Sequence, residues 1–74
     1  MPDEQKKKIA YIVACIDAYA RRHNIHPSEA CLYLYQHGGI TFLVDYYEIE
    51  HTLSFEDAVD DLERICASEG GTSV

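Results

Sequence analysis

Apolar residues recur along the first third of the chain with the three- and four-residue spacing of an amphipathic helix. Wound at helical pitch, one set falls within an arc of about 120°, the width of a core-facing stripe. This set consists of Ile9, Ile12, Val13, Ile16, Tyr19 and Ala20. We therefore predict a first helix over residues 3–22, with this stripe against the core.

The opposite side of the same helix is also apolar. Ala10, Ala14 and Ala18 repeat at four-residue spacing, with Tyr11 beside them, and Asp17 is the one charged residue between positions 9 and 20. A helix that is apolar nearly all round is usually buried nearly all round, and a chain of 74 residues has few other helices to cover it. Two interpretations stay open. Tyr11, Ala14 and Ala18 form a surface for association, or the alanines simply favour helix and tolerate water.

Capping signals mark a second helix. Asn24 suits the left-handed residue that ends the first helix. Pro27 fits the first position of the next helix and Glu29 the third, with His26 as an unusual N-cap. Gly38 stops this helix after position 36 or 37. Its predicted core face consists of Ala30, Tyr33, Leu34 and His37.

Residues 40–49 are ambiguous, because Ile-Thr-Phe-Leu-Val has the composition of a strand. The apolar positions nevertheless keep helical spacing, and the sequence offers no convincing second strand to pair with this one. These positions are Ile40, Leu43, Val44 and Tyr47. We predict one helix here, with Thr41 as its cap.

The last helix has a clear start after a break near Thr52. Ser54 is a strong N-cap, and Asp57 three residues later completes a capping box. Its inward residues, up to position 66, are predicted to be Phe55, Val59, Leu62 and Cys66. The sequence thus predicts an all-α fold, a compact bundle of four short helices. Residues 1–67 form one domain, and the polar tail of residues 68–74 is expected to be disordered.

The charge of the chain is unevenly distributed. The formal net charge is −7, although residues 1–24 carry five basic and three acidic groups. A surface this acidic repels phosphate backbones, so nucleic-acid binding would rest on Lys6, Lys7 and Lys8 alone. A basic protein partner fits the charge better. The simpler alternative is that the negative charge only keeps the protein soluble.

Three cysteines, Cys15, Cys31 and Cys66, are widely spaced and set among apolar residues. They form no CxxC pair, and no zinc-ligand spacing is present in the sequence. We expect three buried free thiols in a reducing cytoplasm. The lysines and apolar residues near the start match a signal peptide only loosely, because acidic residues dilute its basic region.

His51 and Thr52 are the strongest candidates for a functional polar pair. His51 could act as a base, with Glu48 one turn earlier to orient it. Alternatively, His51 caps the negative end of the third helix while Thr52 bonds to backbone in the turn. The capping interpretation is favoured, because no nucleophile or phosphate-binding loop is spaced to join the pair.

Other candidate chemistry is weaker. The minimal nucleophile and base pairs would be Cys31 with His51 and Cys15 with His37. An activated thiolate needs a partly exposed, electropositive setting, which an acidic protein does not favour. A metal site built from His23, His26 and Cys31 is equally weak. DNA reading by the third helix is disfavoured, because it offers no Arg, Lys, Asn or Gln to the bases. We expect no catalytic residue, no cofactor and no metal.

Several segments resemble one family of short bacterial proteins. They are Cys15-Ile16-Asp17-x-Tyr19, Asn24-Ile25, and His37-Gly38-x-Ile40-x-Phe42-Leu43-Val44-Asp45-x-Tyr47-Glu48-Ile49-x-His51-Thr52. Over roughly residues 9–65 the chain resembles domain-of-unknown-function family 3791. It departs from that family at His26, where Ser or a similar cap is commoner, and at Glu50, which is usually apolar. The resemblance implies a small all-helical bacterial protein with no assigned activity, encoded near ADP-ribosyltransferase-like proteins, and hence the partner or antitoxin of such an effector enzyme.

The function expected from the sequence is a non-enzymatic, acidic protein-interaction module in the cytoplasm. A homodimer is left open, and no membrane is involved. The residues expected to make the interaction are Tyr11, Ala14, Ala18 and His51. The alternative is a DNA-associated dimeric regulator that uses the basic N-terminus. A small hydrolase would be marked by one cysteine that is alkylated far faster than the other two.

Overall fold

A computed structural model describes residues 3–67 of the chain, and within this range it is helical with no strand. The all-α prediction is confirmed. The helices in chain order are α1 (Asp3–His23), α2 (Pro27–Gln36), α3 (Gly39–Asp45), α4 (Tyr47–Glu50) and α5 (Phe55–Cys66). The tail predicted to be disordered, residues 68–74, lies outside the described residues.

The turn from α1 to α2 forms as the capping signals predict. Asn24 adopts a left-handed conformation with φ of 54°, and the Ile25 amide donates to the Ala20 carbonyl over 3.0 Å. The His26 side chain accepts a hydrogen bond from the amide of Ser28, and Glu29 accepts from the His26 amide, which closes the capping box. These bonds satisfy amides that the first turn of a helix otherwise leaves without partners.

The third helix differs from the prediction. Residues 40–49 do not form one helix, because the chain breaks at Tyr46 into α3 and α4. Gly38, with φ of 83°, reverses the chain so tightly that α3 begins at Gly39, and Thr41 therefore lies inside the helix rather than at its cap. The break has a tertiary cause, because Tyr11 of α1 packs its ring against Tyr47 at the start of α4.

The core lies between α1, α2, α3 and α5. Its fully or nearly fully buried apolar residues are Cys15, Tyr19, Ala20, Ala30, Leu34, Leu43, Ala58, Val59, Leu62 and Cys66. The inward positions predicted for α5 are confirmed for three of four residues, whereas Phe55 is half-exposed at the first turn. The prediction that all three cysteines are buried is wrong for Cys31, which lies on an exposed side of α2.

The predicted orientation of α1 is partly wrong. Ile9 and Val13, which the sequence placed in the core, are exposed, while Cys15 is fully buried. Packing of Cys15, Tyr19 and Ala20 in the core holds this orientation. Exposed polar contacts with α5 accompany it: Arg22 Nη1 donates to Asp60 Oδ1 over 2.5 Å, and His23 Nε2 lies 2.9 Å from Glu63 Oε2. Because α1 is apolar on both sides, its periodicity alone cannot choose which side faces inward.

Candidate functional site

The outer side of α1 and α2 carries a continuous apolar surface. Ile12 and Ile16 of α1 line a groove of about 510 Å³ together with Leu32 and Tyr35 of α2. Ile9 and Val13 extend it, since helical spacing puts them on the same side of α1 as Ile12 and Ile16. We call this set the α1–α2 apolar surface: Ile9, Ile12, Val13, Ile16, Cys31, Leu32, Tyr35 and Ile40.

Exposure distinguishes this surface from ordinary apolar positions. The exposed fractions of Val13 and Leu32 are 57% and 58%, and Tyr35 is more exposed still. Single exposed apolar residues are common, but clusters on neighbouring helices mark sites of contact with other molecules. The α1–α2 apolar surface is therefore the strongest candidate for a binding site on the described part of the chain.

The side chains predicted for association lie on the other side of α1 and have separate roles. Tyr11 is an internal contact, with its ring 5.5 Å from that of Tyr47 and its hydroxyl donating to the Glu50 carbonyl over 2.8 Å. Ala14 and Ala18 line an open groove of about 700 Å³ between α1 and α5. The groove is also lined by Phe55, Val59, Asp17, Arg21, Arg22 and Glu56. The role of Ala14 and Ala18 in association stays a prediction.

His51 and Thr52 end the short helix α4, as the capping interpretation predicts. The His51 Nδ1 atom lies 2.7 Å from the Tyr47 carbonyl oxygen, so Nδ1 carries the proton and donates. The imidazole also stacks on the Tyr47 ring at 4.6 Å. Thr52 Oγ1 donates to the Ile49 carbonyl over 2.6 Å. These local bonds account for both polar side chains, and Glu48 is exposed one turn earlier.

Glu50 was not predicted to be a site residue. It is the one acidic or basic residue that is buried within residues 3–67. Its exposed fraction is 4%, and its Oε1 atom is buried without a hydrogen-bond partner. Burial, a side-chain hydrogen bond with Asp61 and the negative charge of Asp61 together raise the pKa of Glu50 to about 7, against the lowering effect of the Arg64 charge. A sequence signal existed, because the resembled family usually has an apolar residue at position 50, but a glutamate at this position indicated exposure to solvent.

Comparison with family models gives one match, which spans residues 10–69 and has the description "Protein of unknown function (DUF3791)". The chain belongs to the DUF3791 family. The resemblance inferred from its motifs is therefore confirmed. No curated protein and no solved structure matches the chain. The matched part of this DUF3791 protein includes most of α1 and all of α2 to α5, and thus nearly all of the α1–α2 apolar surface.

The cysteines of this DUF3791 protein divide into two kinds. Burial raises the pKa of the Cys15 and Cys66 thiols, which disfavours the reactive thiolate. Cys31 is exposed at the groove of the α1–α2 apolar surface. The proposed base partners make other contacts, since the His37 ring packs on Tyr33 at 4.2 Å. Within residues 3–67, no three His, Cys, Asp or Glu side chains form a potential metal site.

We expect iodoacetamide to modify Cys31 at least about tenfold faster than Cys15 or Cys66, because Cys31 is exposed, whereas burial blocks access to the other two thiols and raises their pKa values. Peptide mass spectrometry of the native protein measures the three rates. Modification in denaturant, where all three sites should react alike, is the control. Equal rates in the native protein would contradict the burial of Cys15. Rapid alkylation of one cysteine therefore does not by itself indicate a hydrolase, since exposure predicts it.

None of the helices in residues 3–67 combines the length and the apolar composition needed to cross a bilayer.

Proposed function

We propose that this DUF3791 protein is a non-enzymatic interaction module that binds a protein partner across the α1–α2 apolar surface. The observation that carries the proposal is the exposure of Val13 and Leu32 on neighbouring helices beside an apolar groove. The groove runs between two helices, and such a shape suits the apolar side of a third helix from the partner. Burying these side chains together would supply the main driving force for binding.

Charge favours a basic partner over a second copy of the chain. Two copies would each bring a net charge of −7 to the interface, and like charges slow encounter and oppose association. Exposed Glu29 lies three residues before Leu32 on α2, and Asp17 follows Val13 by one turn on α1. Glu29 is placed to attract Lys or Arg at the edge of a docked apolar helix, whereas Asp17 already pairs with Arg21 over 3.0 Å. The proposed occupant is therefore an amphipathic helix with basic flanks.

A finer proposal concerns the biological role. The family resemblance suggests a bacterial effector enzyme as the partner, with this protein as its small cytoplasmic antitoxin. Binding through a surface would need no catalytic residue, cofactor or metal. The α1–α5 groove with Ala14 and Ala18 remains the second candidate surface for such a partner.

The alternative function is a dimeric DNA-associated regulator. It is favoured by Lys6 and Lys7, which are exposed within the first two turns of α1. Their contribution would be electrostatic, so duplex binding would weaken steeply with salt. Binding to a basic protein helix through an apolar surface would depend on salt much less.

The test compares charged substitutions at equally exposed apolar sites. Val13→Glu and Leu32→Glu each place a carboxylate in the α1–α2 apolar surface, and Ile49→Glu, at a site 60% exposed on α4, is the matched control. A partner is first identified by crosslinking in the native host and then purified. We expect Kd to rise at least about tenfold for both surface variants, because each would bury an unpaired charge, and to stay unchanged for Ile49→Glu. Circular dichroism checks that all variants fold.

Specific outcomes would overturn the proposal. Unchanged Kd for both surface variants, with loss of binding in Ala14→Glu, would assign the interaction to the α1–α5 groove. A dimer in ultracentrifugation that Val13→Glu dissociates would make a second copy the occupant. Duplex binding lost on replacing Lys6 and Lys7 with Ala, without any protein partner, would support the DNA-associated alternative.

A further inference from the structure

The short helix α4 is held in place by contacts with α1 and α5 rather than by its own stability. Four residues make a single turn of helix, which does not persist alone in water. The Tyr11 hydroxyl donates to the Glu50 carbonyl over 2.8 Å, and the Tyr11 ring packs on Tyr47. Glu50, the last residue of α4, is 4% exposed. Docking of α4 therefore requires burial of the Glu50 side chain.

The groups that face Glu50 do not provide a good environment for a negative charge. From α5, Asp61 adds a second carboxylate, and Arg64 is the opposing cation. Arg64 already pairs with Asp61, and its side chain is 74% exposed. From α1, the groups beside Glu50 are the Tyr11 hydroxyl and the Cys15 thiol, whose pKa values burial raises, so both are neutral. The Lys8 ammonium of α1 lies over the Tyr47 ring of α4, 5.5 Å from its centroid. The Oε1 atom of Glu50 has no hydrogen-bond donor. The exposed residues Glu48 and His51 flank Glu50 on its own segment.

We propose that Glu50 is a neutral carboxylic acid when α4 is docked, and that its ionisation releases α4 from α1 and α5. A protonated carboxyl can be buried without a counter-charge, and it can donate its proton to a nearby carboxylate. If Glu50 were ionised, its carboxylate and that of Asp61 would lie close together away from water. Arg64, which is largely exposed, would be the cation that both carboxylates share. Released α4 would carry this charge into solvent. The device is independent of the proposed partner binding.

The direction of the pH dependence follows from the raised pKa of Glu50. The pKa of Glu50 is about 7 in the docked state against an ordinary value of 4.5, so the docked state holds the proton more tightly. Docking is strongest below pH 4.5 and weakens as the pH rises through 7. With these two values, linkage gives an increase of about tenfold in the opening equilibrium between pH 6 and pH 8.

Hydrogen exchange of the full chain tests the proposal. Exchange rates of the α4 amides are measured at pH 6 and pH 8 and corrected for the intrinsic effect of pH on exchange. We expect protection of α4 to fall about tenfold in the wild type and to stay constant in Glu50→Gln, which keeps the size of the side chain without its charge. Glu48→Gln, an exposed substitution on the same helix, should retain the wild-type response. Asp61→Asn should move the response to lower pH, because it removes the repelling charge.

A carboxyl NMR titration of Glu50 in the wild type supplies a readout that does not depend on any variant folding. A midpoint near 7 supports the proposal, and a midpoint near 4.5 overturns it. The exchange experiment can also overturn the proposal. A wild-type pH response that persists in Glu50→Gln would show that another group controls the docking of α4.

Discussion

Leu62→Ala is expected to lower the free energy of unfolding by about 2 to 5 kcal/mol, the usual range for a fully buried leucine. Leu62 has no exposed surface and lies on the inner side of α5, against the other core helices. Removing its branched end loses the transfer free energy and leaves a cavity. A domain of this size has a total stability of only about 5 kcal/mol, so much of the variant should be unfolded. Urea denaturation followed by circular dichroism measures the change.

Leu32→Ala is the matched control for this prediction. The chemical change is identical, but Leu32 is largely exposed on α2, so we expect a change within about 0.5 kcal/mol. Ile16→Ala, at a half-buried site, should fall between the two. If both leucine variants melt alike, the assignment of the inner side of α5 is wrong.

Gly39→Ala is expected to destabilise the fold by about 1 to 3 kcal/mol, the range for an overpacked core. A Cβ atom at position 39 would lie 2.9 Å from Leu34 Cδ2 and 3.3 Å from the Leu34 carbonyl oxygen. Leu34 is fully buried and cannot move away without disturbing its neighbours. Substitution therefore forces α3 away from α2. The loss should appear as a lower denaturation midpoint in urea.

Gly38→Asn separates this steric effect from backbone strain. Gly38 is left-handed, with φ of 83°, and asparagine tolerates that region better than other residues with a side chain. We expect Gly38→Asn to cost less than Gly39→Ala. The reverse order would mean that the conformation of the turn, rather than the contact of Gly39 with Leu34, limits stability.

Short-range sequence signals correctly predicted the helix caps and the turn after α1. Asn24 in its left-handed conformation, the His26 capping box and the Ser54 cap are all formed as expected. Each depends on bonds between residues a few positions apart, which a single sequence contains. The inner side of α5 was predictable for a related reason. Its polar and apolar sides differ clearly, so Val59, Leu62 and Cys66 could be assigned to the core.

Long-range contacts explain what the sequence did not predict. No glycine or proline marks the break at Tyr46 in the sequence. The break depends on Tyr11 packing against α4. The orientation of α1 depends on Cys15 and Tyr19 packing in the core with residues of the other helices. Val13 was consequently expected in the core, although it forms part of the α1–α2 apolar surface. Such pairings join residues that are far apart in sequence, and periodicity along one helix carries no information about them.

The sequence and the structure point to candidate surfaces on different sides of α1. The excess of apolar residues around α1 correctly indicated more surface than the small bundle could cover. Tyr11 was expected on the outer side, whereas in the structure its hydroxyl donates to the Glu50 carbonyl of α4. Glu50 was missed because acidic residues near the end of a short helix are usually exposed, and its burial arises from the position of α4 against α1 and α5.

The two apolar sides of α1 also have an evolutionary consequence. Arg22 and His23 join α1 to Asp60 and Glu63 of α5, and these four residues belong to neither the core nor the α1–α2 apolar surface. Exposed ion pairs of this kind contribute little to stability, so the inner side of α1 is held mainly by the burial of Cys15, Tyr19 and Ala20. The outer apolar side lacks that packing constraint, so divergent members of a lineage could change its exposed side chains, and with them a binding specificity, without disturbing the core.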